Sequence, residues 1–355
     1  RRPAPSTPTR RSPTSASLAP KLPATSAANE MDFPMTATPI PVIIDCDTGI
    51  DDAMALMFAV RHPALDVRAI ACVAGNASID RVVSNTLQIL DVLGAPEIPV
   101  AAGAIRPLVE EARDASWVHG ETGLGSLSLP TSARTVEPVH AVELMRRTIE
   151  ASAEKITLIA LAPLTNLALL FRMYPEVAER IERIVCMGGS ASIGNATPVA
   201  EFNVWHDPEA AHVVFNSGVP LTLYGLDVFN VVEVPGAKVA ELHTLQDPVA
   251  QALASLLSFE VTDPADGSKV THTLIGDAGA VCALVAPELF TTEHRRLQVE
   301  LSPGLSRGQT IVDRRSFGGE EAVHGTVEPW PTADVCLGVD VDAVLELFLG
   351  TVLGR

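Results

Sequence analysis

The stretch "DCDTGIDDAMAL", residues 45–56, places Asp45, Asp47, Asp51 and Asp52 within eight positions, directly behind the apolar run "IPVII". Like charges this close repel one another, and burial in a low-dielectric interior raises the cost. Asp45 and Asp47, two apart at a strand end, point the same way. Gly49 permits a tight turn, and Asp51 and Asp52 then open a helix, whose free N–H groups and dipole favour anions. Capping accounts for one of that pair but not for four carboxylates. A hard divalent cation would neutralise the group, and ligands spread over loop and helix suit the large, adaptable shell of Ca²⁺. The spacing is not that of an EF-hand, whose ligands alternate and end in a distant Glu.

The elements that must position these residues emerge from the hydrophobic pattern. Apolar runs of strand length, "PVII", "VRAIACVAG", "IPVAAG", "ITLIALA", "RIVCMGG" and "LTLYGLDV", alternate with helical stretches such as "DDAMALMFAV", "RVVSNTLQILDVLG", "AVELMRRTIEAS", "LTNLALLFRMY" and "PEAAHVVFNSG". Continuous apolar strands between amphipathic helices predict an α/β domain with a mostly parallel central sheet covered on both faces, a Rossmann-like open sheet. One such domain is expected over residues 37–355. Residues 1–36, rich in Pro, Ser and Arg, read as a disordered tail. Their acid-poor composition loosely suits a transit segment, but Met31 and Met35 just before the first strand favour a gene-start artefact. In residues 231–275, "QALASLLSFEV" reads as helix and "TDPADGSK" as loop.

Ligands of open α/β sheets gather beyond the carboxyl ends of the strands. The residues just past the apolar runs are, in chain order, Asp45 and Asp47, then Asn76, then Pro163 and Thr165, then Ser190, Asn195, Glu201 and Asn203. Carboxylates, amides and small hydroxyls recur at one edge, a set suited to a hard cation and a polyhydroxylated ligand.

The formal net charge of −18 argues against nucleic acid or an anionic membrane as partner. The five cysteines are scattered singly, without a CxxC pair, and read as reduced core residues of a reducing compartment, the cytoplasm. No run approaches the ~20 apolar residues of a membrane helix. No GxGxxG follows a strand and no Walker loop is present, while "GGSAS" (188–192) misses the nucleophile-elbow pattern.

A DxD followed by a hydroxyl also resembles haloacid-dehalogenase-type phosphatases, but Thr48 comes directly after the second Asp, Gly49 takes the expected slot, and the Asp51–Asp52 pair is foreign to that pattern. The chain looks instead like the calcium-dependent inosine–uridine-preferring nucleoside hydrolases. The resemblance runs in family order over roughly residues 40 to 345, through "DCDTGIDDAMAL", "GNAS" (75–78), "HGETGLG" (119–125), "LAPLTNLAL" (161–169), "MGGS" (187–190), "GNATPVAEFNVWHDPEAA" (194–211), "LDV" (226–228), "GDAGA" (276–280) and "SRGQTIVD" (306–313). It implies hydrolysis of the N-glycosidic bond of ribonucleosides. It implies Ca²⁺ held by Asp47, Asp52, the backbone carbonyl of Thr165 and Asp277, with Asp47 taking the proton from the attacking water. Asp51, Asn76, Asn195, Glu201, Asn203 and Asp277 match ribose-binding positions, and Met187 packs against the sugar. The base pocket is expected in loops at 79–85, 117–125 and 228–276, and relatives of this kind are commonly homodimers or homotetramers.

One position departs from the pattern. In much of the family a histidine that protonates the leaving base precedes the last metal aspartate, and here that position is Gly276. Glycine has no side-chain proton to give. His119 matches a histidine found near the base in some pyrimidine-preferring members, or else simply closes a loop over the site. His272, five residues before Asp277, reads first as a surface loop histidine, with folding back toward the base as the alternative. The glycine also leaves open a second reading, a ribose- or nucleoside-binding homologue that turns over very slowly or not at all.

Overall fold

The computed structural model describes residues 38–263, 265–325 and 329–355. The expected disordered tail, 1–36, lies outside them. Strands β1 (Ile40–Cys46), β2 (Leu65–Cys72), β3 (Val100–Ala102), β4 (Ile156–Ala160), β5 (Ile181–Met187) and β6 (Leu221–Tyr224) fall on the six apolar runs of the sequence. Next in the chain is a small ribbon, β7 (Glu260–Thr262) with β8 (Lys269–Thr271), and then β9 (Phe290–Val299), β10 (Thr310–Val312) and β11 (Thr332–Val339). Among the described residues the main sheet has nine strands in the order β10-β9-β11-β6-β5-β4-β1-β2-β3. From β3 to β11 every neighbouring pair runs parallel; β9 is antiparallel to β11, and β10 to β9.

Side-chain alternation along the strands divides the core between two faces. Val42, Ile44, Ile70, Cys72 and Ile159 pack with helices Ile50–Arg61, Ile79–Val92, Pro248–Leu256, Ala278–Val285 and Val341–Leu353. Ile43, Ala69, Ala71, Leu158 and Ala160 pack with helices Ala141–Ala151, Thr165–Met173 and Pro208–Phe215. All five cysteines are buried and free. No helix among the described residues is long and apolar enough to cross a membrane.

The chain leaves β1 for β2 and β3 on one side and returns to β4 on the other. Strand order therefore reverses between β1 and β4. The loops leaving these two strands diverge, and the crevice between them is where such sheets bind ligands.

Candidate active site

Asp47, the first residue past β1, is held by Asn76 from the loop after β2. Its Oδ2 accepts the Asn76 backbone N–H at 2.7 Å and its Oδ1 accepts the Asn76 amide at 3.1 Å. A Cβ on Gly75 would lie 2.0 Å from Asp47 Oδ2, so glycine is what lets this backbone approach. The same Asn76 amide reaches Asp52 Oδ2 at 3.0 Å, and Asp52 also accepts the N–H groups of Asp47 and Gly49 at 3.1 and 2.9 Å. Residues 47–52 thus wrap around the Asp52 carboxylate at the start of helix Ile50–Arg61.

Asp277, preceding helix Ala278–Val285, completes the group. Carboxylate oxygens of Asp51, Asp52 and Asp277 lie within 4.8 Å of one another, and all three residues are buried. Burial, and then the charges of neighbouring carboxylates, push Asp47 and Asp277 well above the ordinary range and Asp52 up to about 6. Burial raises Asp51 too, and its Oδ1 has no hydrogen-bond partner among the described residues. Hard oxygens that repel one another, one of them orphaned, fit a hard divalent cation.

Asp45 resolves its share of the crowding differently. Its Oδ1 accepts the Asn166 amide at 2.8 Å, and Asn166 also bridges to the Cys72 carbonyl and the Ala104 N–H. Burial pushes Asp45 up to about 8, which favours its neutral form and eases the repulsion.

The loops after β4 and β5 supply the amide side of the crevice. Asn203 donates to the carbonyls of Leu161 and Met187 at 2.9 and 3.2 Å, which places it against the Met187 side chain. Buried Glu201 accepts the N–H groups of Gly189, Asn203 and Val204, while burial pushes it up to about 7. Asn195 stands apart: it is exposed, and its Oδ1 ties the loop by accepting the Phe202 N–H at 2.9 Å. Thr165 is buried at the start of its helix, with its hydroxyl donating to Asp207 at 2.6 Å.

Asp207 and Asn166 escaped the sequence reading. Asp207 caps helix Pro208–Phe215 through the Ala210 N–H and also accepts the Leu108 N–H. "Asp-Pro" before a helical run is a cap signature that was available in the sequence; its third task, holding Thr165, was not. The expected base-pocket loop at 79–85 is in fact the first part of helix Ile79–Val92, because the Ser78 turn gives way at once to an unbroken amphipathic repeat.

His119 ends the short helix Ser116–His119 and is buried. Its Nδ1 accepts the Ile50 N–H at 3.2 Å and lies 3.8 Å from Asp51 Oδ1. Burial and the nearby His272 lower it to about 4, so the ring is neutral, with its proton on Nε2. Gly276 has a φ of 55°, and a Cβ there would lie 2.4 Å from the Asp51 Cβ. A side chain at 276 would displace Asp51, so grafting a histidine there does not restore a proton donor in isolation.

Fold and site together define an open α/β sheet protein whose buried carboxylates gather at the switch point, the usual ligand position of such sheets. The chain belongs to the inosine-uridine preferring nucleoside hydrolase family, whose model matches residues 42–346. The family's reaction is hydrolysis of the N-glycosidic bond of ribonucleosides. Among its relatives is the pyrimidine-specific ribonucleoside hydrolase RihA of Shewanella woodyi, 41% identical over 285 residues, which covers 79% of this chain and 91% of that one. RihA of Salmonella gallinarum is 38% identical over 309 residues, 87% of this chain and 96% of its own. A purine-preferring ribonucleoside hydrolase from Gardnerella vaginalis superposes with a TM-score of 0.78 at 30% identity, covering 88% of this chain and 98% of the other. The plant nucleoside hydrolase PpNRh1 gives 0.79 at 28% identity, with 90% and 100% covered.

Proposed function

We propose that this chain hydrolyses ribonucleosides to free base and ribose with the aid of Ca²⁺, and that pyrimidine ribonucleosides are its preferred substrates. The observation that carries the reading is the buried Asp51–Asp52–Asp277 cluster beside Asp47 at the β1/β4 crevice. The pyrimidine preference is supported by the printed specificity of the 38–41% identical RihA relatives.

Asp47, Asp52, the Thr165 backbone carbonyl and Asp277 hold the cation in this reading, with Asp51 in the same carboxylate group. When bound, Ca²⁺ supplies a fixed positive charge that orients the ribose 2′- and 3′-hydroxyls and a water beside Asp47. Asp47 takes a proton from the attacking water as its oxygen bonds to C1′. Asn76 keeps both oxygens of that carboxylate aimed and separated. The ribosyl group passes through a cationic, oxocarbenium-like state, which the anionic form of Glu201 and the carbonyl dipoles around Asn203 and Met187 stabilise more than they stabilise the substrate. Asp51 and Asn195 contribute to the ribose side, and His119 presents its neutral Nε2–H toward the departing base. A site fitted to a vicinal diol rejects 2′-deoxyribosides, which leave its polar groups unpaired.

Five buried, free cysteines fit a reducing compartment such as the cytoplasm, and a homodimer or homotetramer fits the family resemblance. The test is base release from uridine, cytidine and inosine, with and without chelator, in the wild type and in Asp47→Ala. Calcium-dependent release lost in the variant supports the proposal. Ribonucleoside binding with no product at high enzyme concentration favours the non-catalytic binder, the reading that Gly276 keeps open. Full turnover in chelator overturns the cation assignment.

A further inference from the structure

We propose that His272 is a second base-contacting residue, whose imidazole N–H stabilises the leaving base of the ribonucleoside; this rests on the hydrolase reading above.

The placement is structural. His272 comes directly after β8, and its backbone N–H bonds to the Phe259 carbonyl at 2.8 Å, fixing the exit of the β7–β8 ribbon. The Phe259 ring lies against Gly120 and Gly125 of the segment that carries His119; a Cβ on those glycines would meet it at 3.3 and 2.7 Å. The ribbon and the His119 segment are thus one packed roof with two imidazoles. From His272 the chain runs back to Gly276, where the backbone abuts Asp51. Two backbone bonds hold the intervening stretch, Val234 N–H to the Thr273 carbonyl at 2.8 Å and Ile275 N–H to the Val232 carbonyl at 3.1 Å.

The side chain is half-buried, and its Nδ1 is enclosed without any hydrogen-bond partner among the described residues. Such a nitrogen costs free energy unless something fills its need. Asp51 and His119 lie within electrostatic reach of it: a proton on His272 would lower both, and Asp51 works against the stronger effect of burial, which keeps the ring neutral. A nucleoside whose ribose lies against Asp51 brings its base toward these two rings.

The chemistry balances without a change of charge on His272. The C1′–N bond breaks with its electron pair on the base, water supplies the new C1′–O bond, and one water proton ends on the base. A neutral imidazole carries one N–H, and donating it to a base oxygen or nitrogen spreads the developing negative charge.

The test compares leaving groups. His272→Phe keeps ring bulk without an N–H, and His272→Asn keeps an N–H donor. Both are assayed on uridine, on inosine and on 4-nitrophenyl riboside, whose phenolate leaves readily unaided, with folding checked by thermal melting. His272→Phe should lose roughly 10²-fold in kcat on the nucleosides, stay within about twofold of wild type on the aryl riboside, and be partly rescued in His272→Asn. An equal loss on all three substrates makes His272 a mere support of the ribbon and overturns the proposal, as does no loss on any. If His272→Phe melts before assay, His272→Ala takes its place under the same two criteria. Wild-type enzyme that turns over no riboside removes the hydrolase reading, and this inference with it; wild-type turnover unchanged in the variants removes the inference alone.

Discussion

Single residues set the chemistry here through what they touch. Asp47 is clamped on both oxygens by Asn76. Asp47→Ala is therefore expected to cost roughly 10³-fold or more in kcat, while Asn76→Ala, which frees the same carboxylate to wander, costs less but in the same direction; steady-state assays on uridine rank the two. Gly276 makes a sharper case. Gly276→Ala meets both the left-handed φ and the Asp51 side chain. It should lower stability by about 1–3 kcal/mol and activity by more than its loss of stability explains, read from denaturant melts beside kcat. The acidic signature and its partners at the strand ends were legible because the chemistry needs particular atoms in sequence-local clusters. What Gly276 does instead of a histidine was not legible. A missing side chain states only a loss, and the approach of Asp51 into the space appears only in three dimensions.

Elements explain the rest of the placement. Six parallel strands announced themselves as apolar runs, since strands covered on both faces carry no alternation. The antiparallel edge did not. In β9 the sequence "FTTEHRRLQV" is half exposed, and β10 is three residues long, so neither shows the pattern that marks the centre of the sheet. The short ribbon was equally hidden, with every residue of β8 exposed. Helix starts carry a further share of the design. Asp207 caps one helix and fastens Thr165 at the head of another. Asp207→Ala should thus lower stability by about 1 kcal/mol for the lost cap, with more for the stranded hydroxyl, seen as a lower melting temperature, and also weaken cation affinity, measured by calorimetry. Tyr224 has the opposite expectation. Its hydroxyl is buried without a partner among the described residues, so Tyr224→Phe should keep or raise stability, and a drop in the melt would show a partner in solution.

For the molecule as a whole, burial has placed several acids where their charge is costly. Glu201 rises from 4.5 to about 7 in the folded chain. Between those values the folded protein holds a proton that the unfolded chain has released, so stability falls as pH rises through the window. Glu201→Gln should flatten that part of the melting-temperature profile, recorded in chelator from pH 4 to 8, while its activity no longer rises toward neutral pH. If the site takes calcium as proposed, adding it at ~100 times its dissociation constant should raise stability by about 2.7 kcal/mol, as for any ligand of the folded state alone.

That assembly has a consequence for synthesis. The carboxylates at 51 and 52 emerge early from the ribosome, whereas the one at 277 arrives only after β1 to β8 have been translated. A nascent or truncated chain that stops before it has strands β1 to β6 and the opening aspartates, yet lacks β11 and the third carboxylate of the cluster. On the cation-dependent reading proposed above, a copy that stops before Asp277 is expected neither to hold the ion nor to cleave nucleosides.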